Sequence, residues 1–407
     1  MEKLESRVAV AEPGETITTH GASGFGTLPA VSLITPAQAT TRPRMKQLDV
    51  LRAIAVLLVL CSHVRSVNWL QRFGWIGVDL FFVLSGFLVS GLLFSEYTKQ
   101  GSLSPKRFLI RRGLKIYPAF YTFVILSVIL MVFTKMKIAA DLLLAEIFFV
   151  QNYYGGLWGH TWSLCVEEHF YLLLTAGLYL LWRRRSGNGL PFDAIPKLTL
   201  IVAAVLIGAR ALTYFLVVPY NFQYHLKPTH LCLDSLLFGV CLAYFYHFHH
   251  NKLASFVSRT RWWLLLFSAA AIAPAVFLPV SSAFVSIIGF PLLYLGFGSV
   301  LLLALHSTNT GWYLASASGS VLARIGAYSY SIYLWHLVVA SLGLTLIRRA
   351  YSQVHATLSE GLVAQPLNPL VEFAAYVVAS IAVGIVMAKL VEMPVLRLRD
   401  RYFPGRS

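Results

Sequence analysis

Charge is what this chain has least of. Asp, Glu, Lys and Arg make up 12% of its 407 residues, against about 25% in a soluble globular protein. That poverty argues against a soluble enzyme. Acidic residues are the scarcer sign, 17 against 33 basic ones, for a net charge of +16. The basic residues stand in short clusters between apolar stretches, as the positive-inside rule distributes them in a membrane protein, so no nucleic-acid partner is expected. Cysteine is scarce as well. Cys61, Cys165, Cys232 and Cys241 sit in apolar segments without CxxC or Cys/His spacing, which leaves them as small buried hydrophobes rather than disulfide or zinc ligands. No internal repeat is visible. No G-x-S-x-G elbow surrounds a serine, and Ser85-Gly86 reads instead as a close helix contact. His247-Phe248-His249-His250 lacks a carboxylate or cysteine to complete a ligand set, so no metal is expected.

What is present is apolar surface: 57% hydrophobic residues and a mean hydropathy of +0.68. A membrane-spanning helix needs about 20 residues. Ten stretches qualify, near 48–67, 74–96, 113–134, 160–182, 196–218, 231–248, 262–279, 284–306, 328–347 and 370–391. The segment 138–152 is shorter and partly amphipathic and reads as a re-entrant or interfacial helix. The expectation is an all-α polytopic bundle. Ten spans with both termini cytoplasmic put the main Lys/Arg clusters on the inner side, whereas an odd number would move the Arg183 or Arg397 cluster outside. Residues 1–44 are rich in Thr, Ala, Gly and Pro and lack the basic start and apolar core of a signal peptide. They read as a disordered cytoplasmic tail ahead of one domain over 45–403.

Within the first stretch, Arg52 and His63 stand out. Eleven positions at about 100° each return the two side chains to nearly one face, about 16 Å apart along the axis. An intramembrane Arg costs at least about 2.5 kcal/mol on insertion scales and tends to mark a functional path. The topology puts Arg52 toward the cytoplasm and His63 in the outer half, at a similar depth to Asp79 and Glu167.

Several motifs in this order resemble the acyltransferase family 3 membrane proteins. They are Leu48-Asp49-Val50-Leu51-Arg52 with His63 eleven positions on, Gly77-Val78-Asp79-Leu80-Phe81-Phe82, Arg111-Arg112-Gly113-Leu114-Lys115, and Trp162-Ser163-Leu164-Cys165-Val166-Glu167-Glu168-His169-Phe170-Tyr171. Tyr328-Ser329-Tyr330-Ser331-Ile332-Tyr333-Leu334-Trp335-His336 and Val391-Glu392-Met393-Pro394 complete the set. The chain departs from the family in Lys115, where Arg is usual, and in His169, where Gln is more common. The resemblance covers about residues 45–403. It implies a multi-pass enzyme of the cell membrane that moves an acyl group, commonly acetyl, from cytoplasmic acyl-CoA to a hydroxyl of a glycan, lipid-linked or small-molecule acceptor. Acyl-CoA would be a co-substrate, with no cofactor bound permanently.

The residues suit that task. His63 is the candidate general base, or a covalent acyl carrier. Glu167 or Asp79 would orient it or stabilise its imidazolium. Arg52, Arg112 and Lys115 form the candidate acyl-CoA phosphate site, Arg by bidentate contact and Lys as a point charge. Trp162 and Tyr171 are candidate acceptor contacts. Glu168 and His169, one and two positions on, are expected to point away from the face of Glu167. His336, Glu392 and Lys389 carry only structural readings. The rival reading is a proton-coupled transporter of an amphipathic or acylated solute, with His63 and Glu167 as proton sites; the missing repeat weighs against it.

Overall fold

The computed structural model describes residues 45–63, 68–184, 189–306, 316–358 and 368–405; the tail expected over 1–44 lies outside them. The described residues are helical throughout their regular structure, with no strand. Helix α1 (Lys46–Ser62) is followed by the short α2 (Asn68–Phe73), then α3 (Ile76–Gln100) and α4 (Pro105–Phe133). Helix α3 ends where Gly101 takes φ +66° and its N–H closes on the Tyr97 carbonyl, the left-handed cap that glycine adopts without strain. Pro105 opens α4, a position whose N–H would have no helical partner in any residue. Short α5 (Ala140–Ile147) and α6 (Gln151–Tyr154) replace the single helix expected over 138–152. The break falls at Phe149, which has φ +55°.

Next come α7 (Trp162–Arg183), α8 (Ile195–Leu216), the four-residue α9 (Phe222–His225), α10 (Leu233–Phe248), α11 (His250–Phe277) and α12 (Phe290–His306). Helices α13 (Ala317–Ala327), α14 (Ser329–Val338), α15 (Leu344–Leu358), α16 (Pro369–Met387) and α17 (Met393–Tyr402) complete the chain. Single π turns at Val339–Gly343 and Ala388–Glu392 join α14 to α15 and α16 to α17.

Each of the ten predicted stretches contains a helix among the described residues. Eight helical segments are long and apolar enough to cross a membrane, and α1 and α10, of 17 and 16 residues, are shorter. Boundaries moved where polar turns continue a helix beyond its apolar window. Helix α11 begins at His250 instead of 262, and α4 at Pro105 instead of 113. The intervening Lys and Arg residues are good helix formers despite their low hydropathy. Arg111, Arg112 and Lys115 therefore stand on a helix rather than at or before its start.

Large apolar side chains point outward on α8 and α11, among them Leu200, Phe215, Trp262 and Trp263. On an all-helical bundle of this composition that surface faces lipid. Inside, α3 packs most closely against α10. A Cβ on Gly86 would stand 2.0 Å from the Leu236 carbonyl oxygen, and one on Gly239 2.3 Å from that of Val83. Only glycine lets the two backbones touch there.

Two apolar cores result. One surrounds α3, α10 and α12, and the other α1, α4, α14 and α16. Val78, Phe81 and Tyr330 pack against both. The cavities described next open along this seam.

Candidate active site

The first cavity holds about 250 Å³ and is lined by Arg52 from α1, Ser85 from α3, Arg112 and Lys115 from α4, and Glu167 and Tyr171 from α7. Helical periodicity gathers them. Arg112 and Lys115 are three apart and Glu167 and Tyr171 four apart, so each pair shares a face. The Tyr171 hydroxyl, on a side chain only 2% exposed, is the hub. It donates to Glu167 Oε2, exchanges a hydrogen bond of 2.8 Å with Ser85 Oγ, and accepts from Arg112 Nη2 at 3.2 Å. The Arg112 guanidinium also lies 4.6 Å from the centre of the Tyr171 ring. Arg52 is within electrostatic reach of Arg112, Glu167, Glu392 and Asp49, and Lys115 of Arg52, Arg112 and Glu392. Three crowded cations repel one another, and an anion among them relieves that repulsion.

A second cavity, of about 600 Å³, is lined by His63, Trp75, Asp79, His160 and Trp162, among others. Val78, Phe82 and Tyr333 line both cavities, so a thin wall of three side chains separates the cations from the imidazole. Tyr333 is held in that wall by a hydrogen bond of 2.6 Å with Ser163 Oγ and by donation to the His160 carbonyl at 2.7 Å.

His63 caps α1. Its Nδ1 is 2.9 Å from both the Val59 carbonyl and Ser62 Oγ, and the Ser62 hydroxyl itself donates to that carbonyl at 2.7 Å. With two acceptors around it, Nδ1 is assigned the proton and Nε2 the lone pair. The ring meets His336 edge-on at 4.8 Å between centroids, and His336 meets His160 at 4.7 Å. The same backbone logic applies to the other two rings. His336 Nδ1 donates to the Tyr333 carbonyl and His160 Nε2 to that of Leu334, leaving His336 Nε2 and His160 Nδ1 buried without a hydrogen-bond partner. The three imidazoles thus meet edge to face, with His336 Nε2 and His160 Nδ1 each left unpartnered.

The structure divides the residues singled out in the sequence. Arg52, Arg112, Lys115, Glu167 and Tyr171 meet in the first cavity, and His63, Asp79 and Trp162 in the second. Glu167 is therefore not beside His63; its carboxylate belongs to Tyr171 and the cations. Asp79 Oδ1 accepts from Ser235 Oγ at 3.5 Å, near the buried bidentate pair of Arg210 and Asp234, and so turns toward α8 and α10. Glu168 does not point away from the site: it lines the first cavity and accepts from the Tyr117 hydroxyl at 3.0 Å. The cavity wraps far enough around α7 to take in two adjacent positions. His169 does turn elsewhere, to Thr229 Oγ1 at 2.7 Å.

Four residues acquire a place that sequence reasoning had not given them. Glu392 accepts from Ser331 Oγ at 2.9 Å within reach of Arg52 and Lys115. His160, Tyr333 and His336 form the wall and the imidazole cluster. Tyr333 and His336 stood inside a quoted motif, and His160 two residues before another. No residue in the sequence announces the ring contacts.

A family model described as an acyltransferase domain matches residues 45–389. The chain is 31% identical over 350 residues to a peptidoglycan O-acetyltransferase, OatA, of Listeria monocytogenes, covering 78% of this chain and 54% of that protein. It is 29% identical over 310 residues to the O-acetyltransferase OatA of Staphylococcus aureus, covering 71% of this chain and 49% of the relative. The chain thus spans about half the length of the curated relatives it matches. No solved structure matches it. A family match that runs unbroken from the start of α1, through both cavities, into the π turn after α16 makes this chain a member of acyltransferase family 3.

Proposed function

We propose that this protein is an integral O-acyltransferase of the cell membrane, moving an acetyl or other short acyl group from cytoplasmic acyl-CoA to a hydroxyl of a cell-envelope glycan. The carrying observation is the pair of cavities meeting at Tyr333, with three cations on one side and a histidine of defined tautomer on the other. The donor's phosphates sit among Arg52, Arg112 and Lys115, reached from the cytoplasm. Its pantetheine runs along α1, where the eleven positions to His63 span about 16 Å. The thioester then lies past the wall of Val78, Phe82 and Tyr333. Names of the relatives support a peptidoglycan-type acceptor, which the second, larger cavity admits from the opposite side.

In the reaction the acceptor hydroxyl oxygen attacks the thioester carbonyl carbon while its proton passes to His63 Nε2. The carbon–sulfur bond then breaks, and the thiolate leaves with the proton that His63 returns. Arg112, held by Tyr171 and Glu167, keeps the donor in register.

The test is acetyl transfer by purified protein in lipid nanodiscs, with acetyl-CoA and a soluble peptidoglycan fragment. His63→Ala should cost about 10²–10⁴-fold in rate. Near wild-type transfer by that variant would end the proposal. Solute movement without thioester consumption would favour a transporter instead.

A further inference from the structure

We infer that a third, small cavity beside the first is a subsite for a second phosphate group of the donor, so that the donor is a phosphorylated nucleotide thioester and not a phosphopantetheine carried on a protein. This rests on the acyl-CoA reading and deepens it.

The cavity holds about 100 Å³, room for a phosphate-sized group and too little for a purine. Arg107, Arg111 and Arg399 line it together with Arg112 and Lys115, which also line the first cavity. The two compartments therefore adjoin, and Lys115 is within electrostatic reach of both Arg52 and Arg399. Against these five cations the lining offers one carboxylate, Glu96. Asp400 stands alongside, 3.1 Å from Arg111 Nη2 and 2.8 Å from Arg399 Nη2.

The arginines are held in place from an unexpected direction. Arg107 and Arg111 donate to the backbone carbonyls of Pro404 and Phe403, so the segment after α17 straps them across the mouth of the cavity. Arg107 Nε and Arg112 Nε remain buried with no partner, donors that the protein's own atoms do not answer. Unanswered donors and surplus cations on a preset frame are what a dianionic phosphate monoester satisfies.

Coenzyme A carries phosphate in two places, a diphosphate leading into pantetheine and a monoester on the ribose. The diphosphate belongs with Arg52, Arg112 and Lys115, and the monoester with Arg107, Arg111 and Arg399. A carrier-bound phosphopantetheine has a single phosphodiester and leaves the second compartment empty of charge.

The experiment compares acetyl-CoA with acetyl-3′-dephospho-CoA as donors for the full chain in nanodiscs. The wild-type protein should prefer acetyl-CoA about 10–100-fold in kcat/KM, the range of a charge-assisted contact. Arg399→Gln and Arg107→Gln should each shrink that preference toward unity, while Arg397→Gln, at an exposed position off the cavity, should retain it. The preference is a ratio within one protein, so partial loss of folded material does not alter it. Equal use of both donors by the wild type, or a preference unchanged in Arg399→Gln and Arg107→Gln, overturns the subsite. Transfer from neither thioester overturns the donor reading itself, and the subsite with it.

Discussion

At the scale of single residues, the account turns on which nitrogen of His63 is free. Val59 and Ser62 fix Nδ1 as the donor, so base strength and aim both belong to Nε2. Replacing His336 by Phe keeps a ring against His63 and removes the bare Nε2. We expect kcat for acetyl transfer to fall about tenfold, toward the lower end of general-base effects, with KM for acetyl-CoA little changed. An unchanged kcat would show that the imidazole cluster has no part in holding the proton. Arg52→Gln is expected to act on the other parameter. Losing a charge-assisted phosphate contact should raise KM for acetyl-CoA about 10–100-fold, and steady-state kinetics separates the two effects. Helical spacing along one segment is written in the sequence and put Arg52 and His63 on one helix, but it did not show that they would line separate cavities. The partner of Glu167 was not legible either. Depth arguments order residues along the membrane normal but not around it, and Glu167 faces Tyr171 and Arg112 rather than His63. His336 was likewise out of reach, since its contact with His63 depends on how α14 packs on α1.

Elements were easier to foresee than their ends. Ten apolar stretches became helices because apolar runs of that length must satisfy their own backbone. The ends shifted where polar, helix-favouring turns carried on, as at His250 and Pro105. Ser85-Gly86 was read as a contact site, and Gly86 does meet α10 at backbone distance. Gly86→Leu should force α3 and α10 apart and cost about 2 kcal/mol or more, seen as a clear fall in melting temperature in detergent; an unaltered melting curve would mean the two helices can slide without loss.

Helix α5 offers a pH test. Its Glu146 is buried and accepts from Thr161 Oγ1 at 2.7 Å and from the Trp158 N–H at 3.4 Å, and burial raises its carboxyl from the usual carboxylate range to about 7. Between about 4.5 and 7 the folded protein keeps a proton that the unfolded chain releases, so this group's contribution to stability is lost as pH rises through that window. Glu146→Gln should match the wild type below about pH 4.5 and melt at a higher temperature above pH 7. A pH-independent difference would contradict the assignment. The sequence showed Glu146 as part of an amphipathic segment, but not that the chain would break at Phe149 and bury it.

For the whole molecule, the site follows from two apolar cores that meet along α1 and α3 without merging. Val78, Phe81 and Tyr330 bridge them, and the seam is where polar groups find space. Composition and the positive-inside pattern were enough to read a polytopic helical bundle, because the bilayer leaves few alternatives. They were not enough to read the seam, which depends on contacts between segments far apart in sequence, such as Ser163 with Tyr333 and Ser331 with Glu392. The central claim is that the donor is gripped on the Arg52 side and the hydroxyl is acylated on the His63 side. It is tested most directly in proteoliposomes of uniform orientation, with labelled acetyl-CoA confined to one face and the glycan fragment to the other. The account predicts labelled glycan only when acetyl-CoA is on the Arg52 face and the glycan on the His63 face, and none with His63→Ala. Product formed with the two faces exchanged, or formed equally by His63→Ala, would contradict it.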